Sequence, residues 1–273
     1  MFNSLLVKEE NLSTYNGEIH LLTVGDPEVQ PILFLHGITE CAKAFLPVME
    51  RMPQEYYLVA ADLRGRGESF KPSAGYQMDD YIEDLTAIFN KLISPHYKPI
   101  VVAHSMSARF ATKFATQFPS LIEKLILVDP PISGPGRRAF PVPISRFLEP
   151  KKAIEENDEL RFEQYYDANK IDISLKKYEM QHCLVEAIEE SYQSIANENF
   201  HFYFAQLSVP TLLLAANSPL ITDEEYEELS KINSKVQLKR RREVGHEMFK
   251  ENPDLFTDEI LSYIRGEQSE NQS

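Results

Sequence analysis

Four places in this chain put a chemically capable residue where a short apolar run stops: His36-Gly37-Ile38, Ser105, Asp129 and His246. Ser105 closes the run VVAHS and is followed by a stretch that reads as a helix, MSARFATKFATQF. A serine on such a strand-to-helix turn has its hydroxyl exposed for attack. The turn is usually written Gly-x-Ser-x-Gly, because strand and helix backbones nearly touch there. Here the frame is Ala103-His104-Ser105-Met106-Ser107, with small residues in place of both glycines. The plainer reading is a buried serine that caps the following helix.

His246 follows Gly245 after the last apolar run and precedes the C-terminal helix. An imidazole is the side chain best suited to accept a proton near neutral pH. The alternative is a surface histidine. Asp129 ends LILVD and is followed by two prolines. A carboxylate there would orient the imidazole and stabilise its charged form. Otherwise it is a turn-capping aspartate. The loop AANSPLIT (215–222) is the other place for such an acid, but it holds none. Asp223 follows and reads as the N-cap of the helix DEEYEELSK, which favours Asp129.

Gly37 lets the chain turn after a buried strand. The N–H groups of Ile38 and Met106 are then the expected oxyanion donors, each worth roughly 3 kcal/mol in the transition state. His36 reads as structural. His104, adjacent to the serine, reads as the weaker histidine, pointing away along the turn.

The order Ser, Asp, His predicts a serine hydrolase. Ser105 attacks a carbonyl, His246 takes its proton and Asp129 orients His246, through an acyl-enzyme. No metal and no organic cofactor is implied. A carboxylesterase or C–C bond hydrolase would use the same triad. A non-catalytic ligand-binding protein on the same fold is the reading from another class. Dehalogenase and epoxide hydrolase readings need an aspartate at 105.

The elements that must carry these residues alternate. GEIHLLTVG (17–25) reads as an early antiparallel strand. Apolar runs at 31–37, 56–67 (ending in a Gly-rich turn), 98–105, 122–131 (stopped by two prolines) and 209–217 read as strands buried on both faces. VQLKRRREVGH (236–246) reads as a more exposed one. Helical spacing at 77–92, 106–118 and 252–265 separates or closes them. This predicts an α/β fold, a mostly parallel sheet flanked by helices, whose functional groups collect at the carboxyl edge. Residues 132–207 hold no convincing strand and read as a helical cap inserted into a core of 1–131 and 208–265. The polar tail 266–273 reads as disordered.

HGITE, DLRGRGES, AHSMSAR, LVDPP and VGHEM, in this order, resemble the α/β-hydrolase superfamily over nearly the whole chain. LVDPPISGPGRRAFP, with HGIT and HSMSAR, is similar to the N-formylmaleamate deformylases of nicotinic-acid degradation. That resemblance implies a Ser-Asp-His triad at Ser105, Asp129 and His246, and a small amide or ester substrate. For a formamide, formyl is transferred and an amide nitrogen leaves. Arg137 and Arg138, in the turn after Asp129, are the expected partners of a substrate carboxylate. Surface pairing with the acidic cap is the alternative. Arg109 is expected to pair with a structural acid such as Asp62, and Arg64 and Arg66 to shape their loop. Tyr165, Tyr166 and the aromatic run 199–204 read as cap core.

The chain has 273 residues, 43% of them hydrophobic, and a net charge of −14. That charge argues against nucleic acid and anionic membrane as partners and leaves a small molecule. The basic run 239–242 reads as a solvated strand face. There is no apolar run of transmembrane length and no signal-peptide pattern, and two cysteines without metal spacing give no disulfide framework. A cytoplasmic location is expected. Monomer and homo-oligomer both stay open.

Overall fold

The structure, a computed structural model, describes residues 6–94, 96–169 and 171–267. Most of the tail expected to be disordered, from 268 onward, lies outside the described residues.

Eight strands form one sheet: β1 (Lys8–Ser13), β2 (Glu18–Val24), β3 (Gln30–Leu35), β4 (Tyr56–Ala61), β5 (Ile100–His104), β6 (Lys124–Val128), β7 (Thr211–Ala215) and β8 (Val236–Arg240). Their spatial order is β1-β2-β4-β3-β5-β6-β7-β8. β1 and β2 pair antiparallel with each other, and β2 with β4. Every other pairing is parallel. The expected α/β fold is thus what the chain adopts.

The central strands are apolar except at their ends because both faces are covered. Alternate residues enter two separate cores. Leu33, Leu35, Val101, Ala103, Leu125 and Leu127 face one. Ile32, Phe34, Ile100, Val102, Ile126 and Val128 face the other. The second core is closed by α1 (Leu46–Met49) and the last two helices, α10 (Met248–Glu251) and α11 (Pro253–Arg265). The first is closed mainly by α2 (Met78–Leu92) and α3 (Met106–Gln117). In α2 the buried stripe is Tyr81, Leu85, Ile88, Phe89 and Leu92, at the spacing the sequence predicts.

Between β6 and β7 the chain runs through five helices among the described residues: α4 (Ser145–Glu155), α5 (Glu159–Glu163), α6 (Ile173–Gln181), α7 (Val185–Asn197) and α8 (Phe200–Ala205). After β7 comes α9 (Asp223–Ile232). Its N-cap is Thr222 rather than Asp223. The Thr222 hydroxyl accepts from the Glu225 amide while the Glu225 carboxylate accepts from the Thr222 amide.

Strand order reverses around β3. The chain leaves β3 for β4 on one side, while β5 leads to β6 on the other. The crevice beyond the carboxyl ends of β3 and β5 is therefore a topological switch point, where ligands bind in open α/β sheets. The Gly37 turn and Ser105 lie on either side of it.

Ser107, the residue in the usual glycine position, is fully buried. Its hydroxyl does not crowd the turn. It shares its proton between the carbonyls of Leu35 (2.7 Å) and His104 (2.8 Å), tying β3 to the Ser105 turn. Ser107→Gly should therefore lower stability by about 1–2 kcal/mol, from a lost hydrogen bond and a helical glycine. Denaturant unfolding tests this; a gain in stability would mean that the hydroxyl crowds the strand-to-helix contact.

Candidate active site

Ser105 has φ 54° and ψ −119°, a left-handed backbone rarely adopted by a residue with a side chain. The turn is held from both ends. The Ser105 amide donates to Val128 O at 2.8 Å, continuing the β5–β6 ladder, and Ser105 O accepts from Ala108 at 3.1 Å. The hydroxyl thus stands at the sheet edge, 3.0 Å from Nε2 of His246.

His246 sits between β8 and α10. Its Nδ1 is 2.7 Å from Oδ2 of Asp129. Asp129 also has positive φ, 43°, and is fully buried. Burial pushes its carboxyl up, but the bonds from His246, Ser218 and the Ala216 amide overcome this and hold it below the ordinary value. The Ser218 hydroxyl donates to Oδ2 at 2.6 Å, and the Ala216 N–H donates to Oδ1 at 3.0 Å. Burial likewise pushes the His246 imidazole down, while the Asp129 hydrogen bond and charge leave it above its ordinary value.

Ser105 donates to His246, and His246 donates to Asp129. This chain of two bonds draws together the ends of β5, β6 and β8. The loop after β7, the other place for an acid, supplies donors to Asp129 instead. Asp223 is turned away and pairs with Arg242 at 2.7 Å.

Gly37 begins the turn after β3. A Cβ there would lie 2.8 Å from Glu40 Oε2 and 3.2–3.3 Å from His104 and Ser105, so no side chain fits. Its amide donates to Glu40 Oε2 at 2.7 Å. The next amide, Ile38, and that of Met106 donate to no group among the described residues. The buried Arg66 fixes this turn, donating to Ile38 O at 3.0 Å and to Ala187 O at 2.8 Å on α7. His36 serves the backbone. Its Nδ1 donates to Gly37 O and its Nε2 accepts from the Leu63 amide. Burial pushes its pKa down to about 4, so it is neutral.

A cavity of about 250 Å³ opens above Ser105 and His246. Phe140, Val142, Phe147 and Leu220 give it apolar walls, while Arg146, Tyr166 and Lys176 give it a polar side. The Arg146 guanidinium rests 5.3 Å from the Tyr166 ring centre and has no carboxylate partner among the described residues. Lys176 is paired with Glu247 at 2.6 Å and Glu179 at 3.0 Å.

Three expectations for arginine need correcting. Arg137 and Arg138 do not line the cavity. Arg137 pairs with Glu228 at 2.5 Å, and Arg138 forks onto Glu225 at 2.9 and 3.0 Å, because α9 presents both acids to their turn. Arg109 does not meet Asp62, which binds His20. It clamps the carbonyls of Pro131, Ser133 and Glu198, fixing the chain just after Asp129. Arg64 forks onto Asp84 at 2.6 and 2.7 Å. The basic run is not simply solvated either: Lys239 and Arg241 meet Glu259, Arg242 meets Asp223, and Arg240 donates to Ile221 and Thr222 carbonyls.

Residues that sequence reasoning did not single out are Ser218, Arg146 and Glu40. Only Ser218 had a signal, since its loop is the alternative seat of the acid. Tyr166, read as cap core, lines the cavity.

A model of the α/β-hydrolase fold family matches residues 30–253. The chain belongs to that family. N-Formylmaleamate deformylase of Pseudomonas putida is 28% identical to this α/β-hydrolase over 250 residues, 89% of this chain and 91% of that protein. 2-(Acetamidomethylene)succinate hydrolase of Mesorhizobium japonicum is 36% identical over 98 residues, 36% of this chain and 34% of that protein. The crystal structure of an N-formylmaleamic acid deformylase from Pseudomonas putida matches the fold with a TM-score of 0.83 at 24% identity, covering 93% of this chain and all of that one. The resemblance read from HGITE, AHSMSAR and LVDPP is thereby borne out. No described helix of this α/β-hydrolase is long and apolar enough to cross a membrane.

The Asp129–His246 contact sets a sign. A raised folded pKa means that the imidazolium persists to higher pH than in a free histidine, whose pKa is about 6.5. NMR titration of His246 should give a midpoint above that value, and Asp129→Asn should bring it down. A midpoint that Asp129→Asn leaves in place would separate the two residues electrostatically.

Proposed function

We propose that this α/β-hydrolase is a serine hydrolase of small amides or esters, and that its specific reaction is deformylation of an N-formyl amide bearing a carboxylate. The observation that carries the mechanism is the bonded chain from Ser105 through His246 to Asp129 at the floor of the cavity. In the forward step Ser105 gives its proton to His246 Nε2 and its oxygen bonds to the carbonyl carbon. Negative charge gathers on the carbonyl oxygen beside the unengaged Ile38 and Met106 amides. Asp129, ionised and held by three donors, stabilises the imidazolium. His246 then passes the proton to the amide nitrogen, the C–N bond breaks and the amine side leaves. Water gives a proton to His246 and attacks the formyl ester, and formate departs as Ser105 recovers its proton.

Two observations support the formamide reading. The similarity to Pseudomonas putida N-formylmaleamate deformylase runs through nearly both whole chains. The cavity is small, which suits a compact acyl group, and it exposes one arginine with no acid against it. Arg146 takes the carboxylate-binding role that Arg137 and Arg138 were expected to fill, since a guanidinium matches a carboxylate in bidentate fashion.

A fluorophosphonate probe should label the wild type and not Ser105→Ala, and that variant should lose about 10⁶-fold in turnover. A screen of N-formyl amides against short-chain esters, read by formate release, then tests the substrate. Ester turnover without formate release would make the protein a carboxylesterase, and neither labelling nor turnover would leave a ligand-binding protein. Arg146→Ala should raise KM for an acidic substrate by about tenfold or more, the scale of one charge-assisted hydrogen bond, and hardly move it for a neutral ester. Equal effects on both would remove Arg146 from carboxylate recognition.

A further inference from the structure

Behind His246 the protein gathers six charged or titratable side chains in one cluster, four of them buried and two, Glu247 and Lys250, at its edge. Glu40 comes from the turn after β3, His104 from the end of β5, Lys176 and Glu179 from α6, Glu247 from the His246 loop and Lys250 from α10. Lys250 lies 3.2 Å from Glu40, 2.9 Å from Glu179 and 3.1 Å from Glu247. Lys176 bridges Glu179 and Glu247.

His104 stands at one end of this cluster, with 1% of its side chain exposed. Its Nδ1 is 2.8 Å from Glu40 Oε2, and its Nε2 is 2.9 Å from the carbonyl oxygen of His246. Both partners are acceptors. Glu40 Oε2 already accepts the Gly37 N–H. Burial pushes the Glu40 carboxyl up, but Lys250 and the neighbouring imidazole hold it well below the usual carboxylate range. A neutral imidazole has a single N–H, so one of its two contacts would set lone pair against lone pair. Only a ring with a proton on each nitrogen satisfies both. Charge balance points the same way. Three carboxylates face two ammonium groups, and a charged His104 leaves none of them uncompensated.

We propose that His104 donates from both ring nitrogens and is a positioning residue, bridging the Gly37 turn, through Glu40, to the backbone of His246. This rests on the hydrolase reading, in which Gly37-Ile38 shapes the oxyanion side and His246 is the base. One buried ion pair then sets the distance between the two halves of the site. The ring also packs against the His246 ring (4.5 Å between centres) and edge-on to Phe249 (4.8 Å), so the loop is gripped by packing as well as by charge. Glu179 is the competing seat for the balancing proton, because burial pushes its carboxyl up against the pull of Lys176 and Lys250.

Nitrogen-15 NMR of the histidine-labelled wild-type protein at neutral pH tests this directly, with His104 assigned by its loss in His104→Gln. Both ring nitrogens should carry a proton. A bare nitrogen on His104 at neutral pH would overturn the proposal. His104→Phe keeps the ring and its packing but has no donors. It should lower kcat about 10²-fold, the scale of a sub-ångström to ångström misplacement, with KM little changed. Wild-type kcat in that variant would also overturn the proposal. Turnover surviving in Ser105→Ala would instead remove the hydrolase reading, whatever the protonation of His104.

Discussion

A carboxylate with no exposed surface, at residue 129, constrains most of this molecule. An isolated buried carboxylate costs on the order of tens of kcal/mol, so it must be met by donors or lose its charge. Asp129 ends β6, and its donors come from elsewhere: an amide and a hydroxyl from the loop after β7, and an imidazole from the loop after β8. Satisfying it therefore requires three neighbouring strands to end in register. The sheet supplies this, because β6, β7 and β8 are adjacent and parallel. His246 serves two ends at once: its Nδ1 answers the buried charge, which leaves Nε2 facing Ser105.

The central sheet was legible because strands covered on both faces are written in apolar residues alone. β1 was not legible. KEENLS has one apolar residue, and it forms a strand only because β2 offers it an open edge. The site divides in the same way. Ser105, Asp129 and His246 each end a strand or the loop after one, so local pattern gives their place and the fold brings them together. Glu40, Ser218 and Arg146 stand outside the apolar runs, and only Ser218 lies in a loop that drew notice. Their roles depend on what faces them across the crevice, and no spacing along the chain records that. Arg137 and Arg138 mark the limit most clearly. Nearness to Asp129 in sequence suggested the pocket, but Glu225 and Glu228, three apart on α9, draw both away from it.

Ala103 and Ser107 illustrate how a motif can be met with the wrong letters. The usual glycines mark steric requirements, and small side chains meet them. Ser107 goes further, since its hydroxyl replaces empty space with a bond to the carbonyl of Leu35. That bond joins the strand before the Gly37 turn to the strand that ends at Ser105. Gly37 has no such latitude, because the space its side chain would need is taken by Glu40, His104 and Ser105. The difference is why one glycine is dispensable here and the other is not.

The helices between β6 and β7 do more than roof the cavity. With the loops that join them they supply most of its apolar wall, from Phe140 to Ile195, and α6 also sends Lys176 and Glu179 into the charge cluster behind His246. Moving α6 away would take Glu179 from Lys250 and Lys176 from Glu247, breaking two ion pairs of the cluster. A lid fastened only by apolar contacts can slide at little expense. One fastened by buried ions cannot, so the cavity keeps its shape before substrate arrives. On the hydrolase reading, the wall that selects the substrate and the loop that carries the base are thereby one mechanical unit. That is the preorganisation that electrostatic catalysis depends on, since dipoles already in place need not reorganise as charge develops.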